Sequence, residues 1–173
     1  TPKPRVADVG TGTGCIAIAI AQSRKDAVVF ATDLSSGALQ LAEENIRLHH
    51  LSARIEIRQG DLLSPLMIEP AFDLIIANLP YVRESEWPDL MSEVRDHEPH
   101  SALVSGVDGL DAIRQLIAEA PDLLKISGYL VMEYGIDHDE AIRRIVDEGT
   151  GVKVRETIID YTQRPRGIVI EKV

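Results

Sequence analysis

The sequence has little cysteine, few aromatic residues and no long apolar run. Its 173 residues include one cysteine, and aromatic residues make up 4% of the chain. A single cysteine excludes an internal disulfide framework and a thiolate metal cluster. We therefore interpret Cys15 as a small buried side chain of a helix. No stretch of about 18 apolar residues could span a membrane, and no signal-like segment opens the chain. These absences predict a cytoplasmic protein that does not contact membranes.

Positive charge is also scarce. Lys and Arg number 18 against 28 Asp and Glu, which gives a formal net charge of -10 at pH 7. Because a non-specific grip on nucleic acid requires a basic side chain at each phosphate, we expect no stable nucleic-acid binding. The histidines show no ligand spacing and no His/Cys/Asp cluster accompanies them, so we also expect no metal site.

The length and the 45% hydrophobic composition suit one compact domain over residues 1–173. The chain starts at Thr1 rather than Met, and the first apolar run follows within a few residues. We therefore expect a fragment, or a chain cut at a domain boundary.

Apolar, β-branched runs alternate with segments of helical period along the chain. The pattern predicts strands over residues 5–9, 28–32, 54–58, 72–77, 129–134, 152–158 and 167–171, and helices over 14–24, 36–49, 109–120 and 137–148. Pro121 should kink or restart the third helix, and a turn at 127–128 should enter the fifth strand. The short gap before the last strand predicts an antiparallel hairpin at the end of a parallel sheet. We therefore expect an α/β fold with a seven-stranded, mostly parallel sheet and helices on both faces, which resembles the class I methyltransferase sheet.

A glycine-rich loop, Asp8-Val9-Gly10-Thr11-Gly12-Thr13-Gly14, joins the first strand to the first helix. Glycines there let the backbone approach a ligand closely. The segment from Gly12 to Ala17 also fits the G-x-G-x-x-A dinucleotide fingerprint, and Asp33 follows where a ribose-binding acid is expected. This pattern predicts a cofactor site but does not separate NAD from S-adenosylmethionine. The loop residues expected at the cofactor are Asp8, Gly10, Thr11, Gly12, Thr13 and Gly14.

Two features favour S-adenosylmethionine. Asp8, two residues before the first glycine, resembles the acid of the first class I methyltransferase motif, which faces the cationic amino-acid end of the cofactor. Asp61 resembles the family acid that contacts the adenine amino group. Asp33 would accept hydrogen bonds from the ribose hydroxyls. The alternatives are a helix cap for Asp33 and a turn acid for Asp61, and Leu62 either covers an adenine face or belongs to the core.

The tetrapeptide Asn78-Leu79-Pro80-Tyr81 follows the predicted strand 72–77 directly. Ligands of open α/β sheets bind beyond the carboxyl ends of such strands. An amide nitrogen is a poor nucleophile, so a catalyst must orient it and draw its protons away. The Asn78 side-chain carbonyl and the Leu79 backbone carbonyl can each accept one N–H, Pro80 fixes the backbone, and Tyr81 offers a flat face. We assign catalysis and substrate binding to these four residues, and count Asn78 among the cofactor contacts as well.

From residue 6 to residue 169 the chain resembles the catalytic domain of the HemK/PrmC family of protein-glutamine methyltransferases. The resemblance includes the glycine loop, Asp33, the tetrapeptide, and the downstream elements Glu98-Pro99, Ala102-Leu103, Gly106-Val107-Asp108-Gly109-Leu110, Glu133-Tyr134-Gly135 and Asp160 to Arg166. It implies S-adenosylmethionine-dependent methylation of the side-chain amide nitrogen of the GGQ glutamine in peptide chain release factors. A release factor would then be the protein partner.

The chain departs from this family in two respects. The family tetrapeptide is usually Asn-Pro-Pro-Tyr, whereas Leu79 stands here, as it does in ribosomal-RNA adenine dimethyltransferases. An adenine-N6 methyltransferase acting on RNA or DNA is therefore the alternative enzyme. The N-terminal helical domain of the family is also absent from this chain. A cofactor-binding but inactive module is a further alternative, and an NAD-dependent enzyme is the weakest.

Residues 82–107 fit neither period, and we interpret them as a substrate-side loop. Within this loop, Glu98 and Pro99 would shape the substrate mouth, although Glu98 could equally be a buried structural carboxylate. We favour an N-cap role for Asp108. Arg166 either supports the loop near the site by pairing with a carboxylate or is an ordinary surface arginine.

Overall fold

The computed structural model describes residues 1–173 and contains one seven-stranded sheet. The strands are β1 (Arg5–Val9), β2 (Val28–Asp33), β3 (Ile55–Gln59), β4 (Phe72–Ala77), β5 (Leu124–Glu133), β6 (Val152–Ile159) and β7 (Pro165–Lys172). Their order in the sheet is β3-β2-β1-β4-β5-β7-β6. The strands β1 to β5 run parallel, whereas β7 is antiparallel to both β5 and β6. The mostly parallel sheet with its C-terminal hairpin confirms the predicted fold class.

Four helices of nine residues or more accompany the sheet, together with two helical turns of four residues. They are α1 (Cys15–Ser23), α2 (Ser36–Leu48), α3 (Ser92–Arg95), α4 (His100–Leu103), α5 (Asp111–Leu123) and α6 (Asp139–Glu148). Two 3₁₀ helices lie at Ser64–Leu66 and Glu84–Asp89. None of the helices combines the length and the apolar character that crossing a bilayer requires.

Two buried clusters lie on the two faces of the sheet. Val6 belongs to the smaller cluster, which includes residues of α1, whereas Ala7 belongs to the larger cluster with residues of α5 and α6. Successive side chains of a strand point to opposite faces, so the division of β1 between the clusters is expected. Helices therefore cover both faces, as predicted.

The order of the strands reverses between β1 and β4. These two strands are neighbours in the sheet although β2 and β3 separate them in sequence. Val9, at the end of β1, is level with Thr32 of β2 and with Ala77 at the end of β4. The segments that follow these three strands therefore leave the sheet at one level. A crevice at such a switch point is where open α/β sheets bind ligands.

The region around Pro121 differs from the prediction. The helix α5 continues through Pro121 to Leu123 without a restart, because a proline in the last turn removes only one helical hydrogen bond. The strand β5 begins at Leu124, and Ser127-Gly128 forms an irregularity within it rather than a turn before it. Ser127 has a φ of 60° there. The sequence pattern identifies the irregular residues correctly, but it places them before the start of β5 rather than within the strand.

The segment 82–107 also differs from the predicted irregular loop. It contains the 3₁₀ helix Glu84–Asp89 together with α3 and α4. Its two ends are joined, because Val82 N–H donates to the Leu103 carbonyl at 2.8 Å and Ser105 N–H donates to the Val82 carbonyl at 3.0 Å. Helical turns this short leave no readable period in a sequence, which is why the pattern missed them.

Candidate functional site

The Asp8 side chain holds the glycine loop in place through hydrogen bonds. This residue is fully buried, and its Oδ2 accepts hydrogen bonds from Thr11 Oγ1 at 2.6 Å and from the Ala17 backbone N–H at 3.0 Å. The Thr11 N–H in turn donates to the Thr32 carbonyl of β2 at 2.9 Å. One carboxylate thus joins the end of β1, the loop and the start of α1.

The glycines of this loop serve different purposes. Gly10, Gly12 and Gly14 have φ values of 69°, 54° and 80°, which disfavour residues with a Cβ. A methyl group on Gly14 would lie 3.2 Å from Ala42 Cβ, so this glycine permits close packing on α2. Nothing lies within 4 Å of the corresponding position on Gly12, where the loop is open.

The electrostatics of Asp8 are unusual for a carboxylate. Burial raises the pKa of Asp8 to about 6, against the opposing effect of the hydrogen bonds from Thr11 and Ala17. Its second oxygen, Oδ1, is buried and has no hydrogen-bond partner. A buried polar atom without a partner is costly and requires an explanation, which a cationic ligand would provide.

Asp33 ties the end of β2 to the same loop. Its Oδ2 accepts a hydrogen bond from the Gly12 N–H at 2.9 Å, and its Oδ1 accepts one from the Ser35 N–H at 2.9 Å. The N-cap of α2 is Ser35, whose side chain accepts from the Ala38 N–H, so the alternative that Asp33 caps the helix is wrong. Leu34 follows Asp33 directly and is 66% exposed, which an apolar residue after a strand does not reveal in the sequence.

Asp61 and Leu62 follow β3 at the same edge of the sheet. Asp61 is exposed, and its Oδ2 accepts a hydrogen bond from Gln115 Nε2 at 3.3 Å. Leu62 has a φ of 41° and packs against the larger buried cluster, while its carbonyl accepts from Thr32 Oγ1 at 3.0 Å. A non-glycine residue in the left-handed region is uncommon and is often found at ligand sites.

The tetrapeptide after β4 lies beside the glycine loop. A methyl group on Gly10 would be 3.0 Å from Leu79 Cδ2, so the two segments are in contact. Asn78 is exposed, whereas the Leu79 side chain is buried and belongs to the larger cluster. Since the side chain of Leu79 serves the core, only its backbone remains to act in the crevice.

Tyr81 is bound by side chains from β5 and β7. Tyr81 Oη donates to Glu133 Oε1 at 3.2 Å, and Arg166 Nη2 donates to Tyr81 Oη at 3.0 Å and to Glu133 Oε1 at 2.9 Å. Arg166 Nη1 donates to the Tyr134 carbonyl at 2.9 Å. The predicted pairing of Arg166 with a carboxylate is confirmed by its ion pair with Glu133. No local sequence pattern predicts the contact between Glu133 and Tyr81, which are 52 residues apart.

Two glycines, Gly109 and Gly135, lie against both Tyr81 and His138. A methyl group on Gly109 would overlap the Tyr81 carbonyl and lie 3.0 Å from His138 Cε1, and one on Gly135 would lie 3.2 Å from Tyr81 Cδ2. His138 is buried, its Nδ1 has no partner, and burial lowers its pKa. A packing role for this neutral histidine agrees with the absence of ligand spacing in the sequence.

The structure also decides between the alternatives for Glu98 and corrects the prediction for Asp108. Glu98 and Pro99 are exposed, so the alternative of a buried structural carboxylate is wrong. No hydrogen bond joins either residue to the tetrapeptide. Asp108 is not the N-cap of α5, a position held by Leu110. It accepts a hydrogen bond from the Leu110 N–H at 3.2 Å and pairs with Arg114, whose hydrogen bond lowers the pKa of Asp108 to about 2.

Cys15 is exposed, which contradicts its interpretation as a buried hydrophobic side chain. It is the first residue of α1, and the residues of that helix that face the sheet are Ala17, Ile18 and Ala21. Because the whole helix is apolar, its sequence does not show that its first turn lies at the open end of the glycine loop.

Comparison with known proteins agrees with this geometry. The chain is 44% identical over 162 residues to the release factor glutamine methyltransferase of Xylella fastidiosa (strain 9a5c), covering 94% of this chain and 58% of that protein. It is 46% identical over 165 residues to the protein of the same name from Gloeobacter violaceus, covering 95% of this chain and 57% of that protein. The chain thus spans little more than half the length of the curated relatives that it matches.

Solved structures share the fold at lower identity. TrmN from Thermus thermophilus superposes with a TM-score of 0.72 at 23% identity, covering 99% of this chain and 45% of that one. SMU.1697c from Streptococcus mutans, in complex with SAH, superposes with a TM-score of 0.64 at 18% identity, covering 99% and 90%. The family model for the methyltransferase small domain matches residues 1–96, which contain the glycine loop, Asp33 and the tetrapeptide. The chain therefore belongs to the methyltransferase small domain family.

Proposed function

We propose that the chain is the catalytic part of an enzyme that methylates the side-chain amide nitrogen of the GGQ glutamine of peptide chain release factors, with S-adenosylmethionine as the methyl donor. The observation that carries this proposal is the exposed Asn78 amide at the end of β4, in a tetrapeptide that packs against the glycine loop at Gly10. The names of the relatives from Xylella fastidiosa and Gloeobacter violaceus support the release factor as substrate. Because release factors act in translation, we place the protein in the cytoplasm.

The residues around the glycine loop fit this cofactor. The buried Asp8 Oδ1 lacks a hydrogen-bond partner, which the ammonium of the cofactor's amino-acid end would supply. The open side of Gly12 leaves room next to Asp33, whose carboxylate would bind the ribose hydroxyls. When bound, the cofactor supplies a methyl group activated by an adjacent sulfonium. The residues proposed to hold it are Asp8, Gly10, Thr11, Gly12, Thr13, Gly14, Asp33, Asp61, Leu62 and Asn78.

The tetrapeptide would bind and orient the acceptor amide. Asn78 Oδ1 and the Leu79 backbone carbonyl each accept one N–H of the glutamine side chain, which fixes the direction of the nitrogen lone pair. Because both of its N–H groups donate hydrogen bonds, this delocalised nitrogen also becomes a better nucleophile. The methyl group would pass to this nitrogen as its bond to the sulfonium sulfur breaks and leaves a neutral thioether. The nitrogen would release one proton to water, so the step would require no strongly basic side chain. Pro80 fixes the backbone, and the acceptor stacks on Tyr81.

We further propose that residues 1–173 act as one catalytic domain and that 82–107 contacts the substrate. The two ends of this segment are joined through Val82 and Leu103 immediately after Tyr81, which keeps the segment beside the crevice. Glu98 and Pro99 are exposed on it and would meet the release factor.

The test is incubation of the protein with labelled S-adenosylmethionine and either a release factor or RNA. We expect label on the release factor, and no label on a release factor whose GGQ glutamine is replaced by alanine. The variant Asn78→Ala should lose the transfer, whereas Gln40→Ala, which removes an exposed amide from α2, should retain it. Label on RNA alone would instead support the adenine-N6 alternative, which Leu79 favours and the net charge of -10 opposes.

Calorimetry separates the remaining alternatives. We expect S-adenosylmethionine to release or absorb heat on titration and NAD to give none. Binding of the cofactor without transfer to any acceptor would support the inactive module. Heat from NAD alone would contradict the proposed cofactor.

A further inference from the structure

The hydroxyl group of Tyr81 is already engaged within the protein. It donates to Glu133 Oε1 at 3.2 Å and accepts from Arg166 Nη2 at 3.0 Å. A phenol hydroxyl has one proton to donate, and here Glu133 receives it. A bound acceptor therefore meets the ring of Tyr81 rather than a free hydroxyl donor.

Arg166 is itself fixed in place. Its guanidinium donates to Glu133 Oε1 at 2.9 Å and to the Tyr134 carbonyl at 2.9 Å, and its Cζ lies 5.5 Å from the centroid of the Tyr81 ring. The planar guanidinium presents its donors in a rigid fork, so these bonds define one orientation of the side chain. The position of the Tyr81 hydroxyl group is therefore fixed as well.

The ring of Tyr81 is also confined near its backbone. A methyl group on Gly135 would lie 3.2 Å from Tyr81 Cδ2, and one on Gly109 would overlap the Tyr81 carbonyl. Both glycines pack against the buried His138 as well. The backbone end of Tyr81 is thus packed while its hydroxyl end is bonded, which leaves the ring one orientation.

We propose that Arg166 and Glu133 are positioning residues that orient the Tyr81 ring for the planar acceptor group. This inference rests on the proposed function, because it assigns a task within the same acceptor site. The antiparallel strand β7 makes the arrangement possible: Gly167 pairs with Glu133, so Arg166 lies at the edge where the parallel strands end. A seventh strand parallel to β5 would bring its last residues to this edge instead.

A double-mutant cycle tests whether Arg166 acts through the Tyr81 hydroxyl. We expect Tyr81→Phe and Arg166→Met each to lower kcat/KM for the release factor about tenfold, which corresponds to the loss of one charge-assisted hydrogen bond. The double variant should lose clearly less than the roughly hundredfold expected of two independent changes, because both changes break the same hydrogen bond between Arg166 and Tyr81. The cofactor Kd should stay within about twofold in every variant. The control Arg164→Met removes an exposed arginine with no hydrogen bond to Tyr81 and should leave kcat/KM unchanged.

Conservative variants separate positioning from simple support of the fold. Glu133→Gln keeps an acceptor oxygen for Arg166 and Tyr81, so it should retain more activity than Glu133→Ala. Arg166→Lys keeps the charge but loses the fork, so it should recover only part of the loss. If Arg166→Met costs the same factor in the unaltered protein and in the Tyr81→Phe variant, or costs nothing in either, the inference is overturned.

A second measurement requires no substrate. The chain contains four tyrosines, so spectra of tyrosine-labelled protein are simple, and Tyr81→Phe identifies the signal of this ring. We expect Arg166→Met and Glu133→Ala to move the Tyr81 ring signals and Arg164→Met to leave them in place. Unmoved ring signals would overturn the inference even if methylation occurs. If the ring signals move but the unaltered protein methylates no release factor, the orienting contacts stand and the proposed function fails.

Discussion

The cofactor region and the acceptor region are assembled in different ways. The cofactor region consists of the glycine loop with the ends of β1 and β2, and its hydrogen bonds join residues close in sequence: 3 residues separate Thr11 from Asp8, and 21 separate Gly12 from Asp33. The acceptor region consists of Asn78 to Tyr81 with the side chains that hold them. There 52 residues separate Tyr81 from Glu133, and 85 separate it from Arg166.

This difference explains the purpose of the C-terminal hairpin. A sheet made only of parallel strands brings carboxyl ends alone to the edge where ligands bind. The antiparallel β7 brings its first residues there, and with them Arg166. The hydrogen bonds of the glycine loop come from segments at the ends of β1 and β2, whereas those that hold Tyr81 come from side chains of β5 and β7. Mutations should therefore separate cofactor binding from methyl transfer.

The largest expected effect is a loss of methyl transfer without a loss of cofactor binding. Asn78→Ala should lower kcat for methylation of a release factor at least about a hundredfold, as the removal of a preorganised polar group does in other active sites. The cofactor Kd should change by no more than about threefold. Kinetics with labelled cofactor and calorimetry measure the two quantities, and Gln40→Ala serves as the control. An Asn78→Ala protein that retains kcat would contradict the assignment of this residue.

The converse experiment affects the cofactor region. Asp33→Ala should raise the cofactor Kd about thirtyfold, because the change removes the carboxylate proposed to bind the ribose and also the hydrogen bond that the Gly12 N–H donates to it. Calorimetry measures this change. The control Asp147→Ala removes an exposed carboxylate of α6 and should leave the Kd unaltered. Equal affinities for Asp33→Ala and Asp147→Ala would contradict the assignment of Asp33.

Two glycines with nearly the same φ show how tightly the acceptor region is packed. Gly109 and Gly151 have φ values of 77° and 76°, but a methyl group would overlap Tyr81 at the former and meet nothing within 4 Å at the latter. Gly151→Ala should lower the free energy of unfolding by about 1 kcal/mol through backbone strain alone. Gly109→Ala should cost about 2 kcal/mol more, through the additional overlap. Denaturant titration compares them, and equal costs would contradict the close packing at Tyr81.

The smallest expected effect concerns pH and the cofactor region alone. The pKa of Asp8 is about 6, so its carboxylate gains a proton as the pH falls through this value and attracts the cofactor ammonium less. Cofactor affinity should fall about tenfold between pH 7 and pH 5. Asp8→Asn should bind more weakly at pH 7 and lack this dependence. Calorimetry across this range measures it, and a pH dependence that survives in Asp8→Asn would contradict the role of Asp8.

The same residue makes a prediction about stability that involves no ligand. The pKa of Asp8 in the folded protein lies above its usual value of 3.8, so the folded state holds this proton more tightly than the unfolded chain does. The contribution of Asp8 to the free energy of unfolding is therefore greatest below about pH 4 and is lost as the pH rises through about 6. Denaturant titrations of the unaltered protein and Asp8→Asn isolate this contribution by difference.

The contrast between the regions also explains what the sequence could predict. The strands β1 and β4 have the predicted bounds, and the glycine loop and Asp33 meet as expected, because these features follow from local apolar runs and turn residues. Glu133 could not be placed beside Tyr81, since their contact depends on the order of strands rather than on spacing. The exposure of Cys15 was missed because composition does not reveal which end of an apolar helix faces the crevice.

The measurement that tests the central claim most directly is mass spectrometry of a release factor after incubation with this protein and S-adenosylmethionine. The account predicts one added methyl group, located on the side-chain amide of the GGQ glutamine and absent when Asn78→Ala replaces the unaltered protein. An unmodified glutamine at saturating release factor, with methyl groups found on adenine of RNA in a parallel incubation, would contradict it.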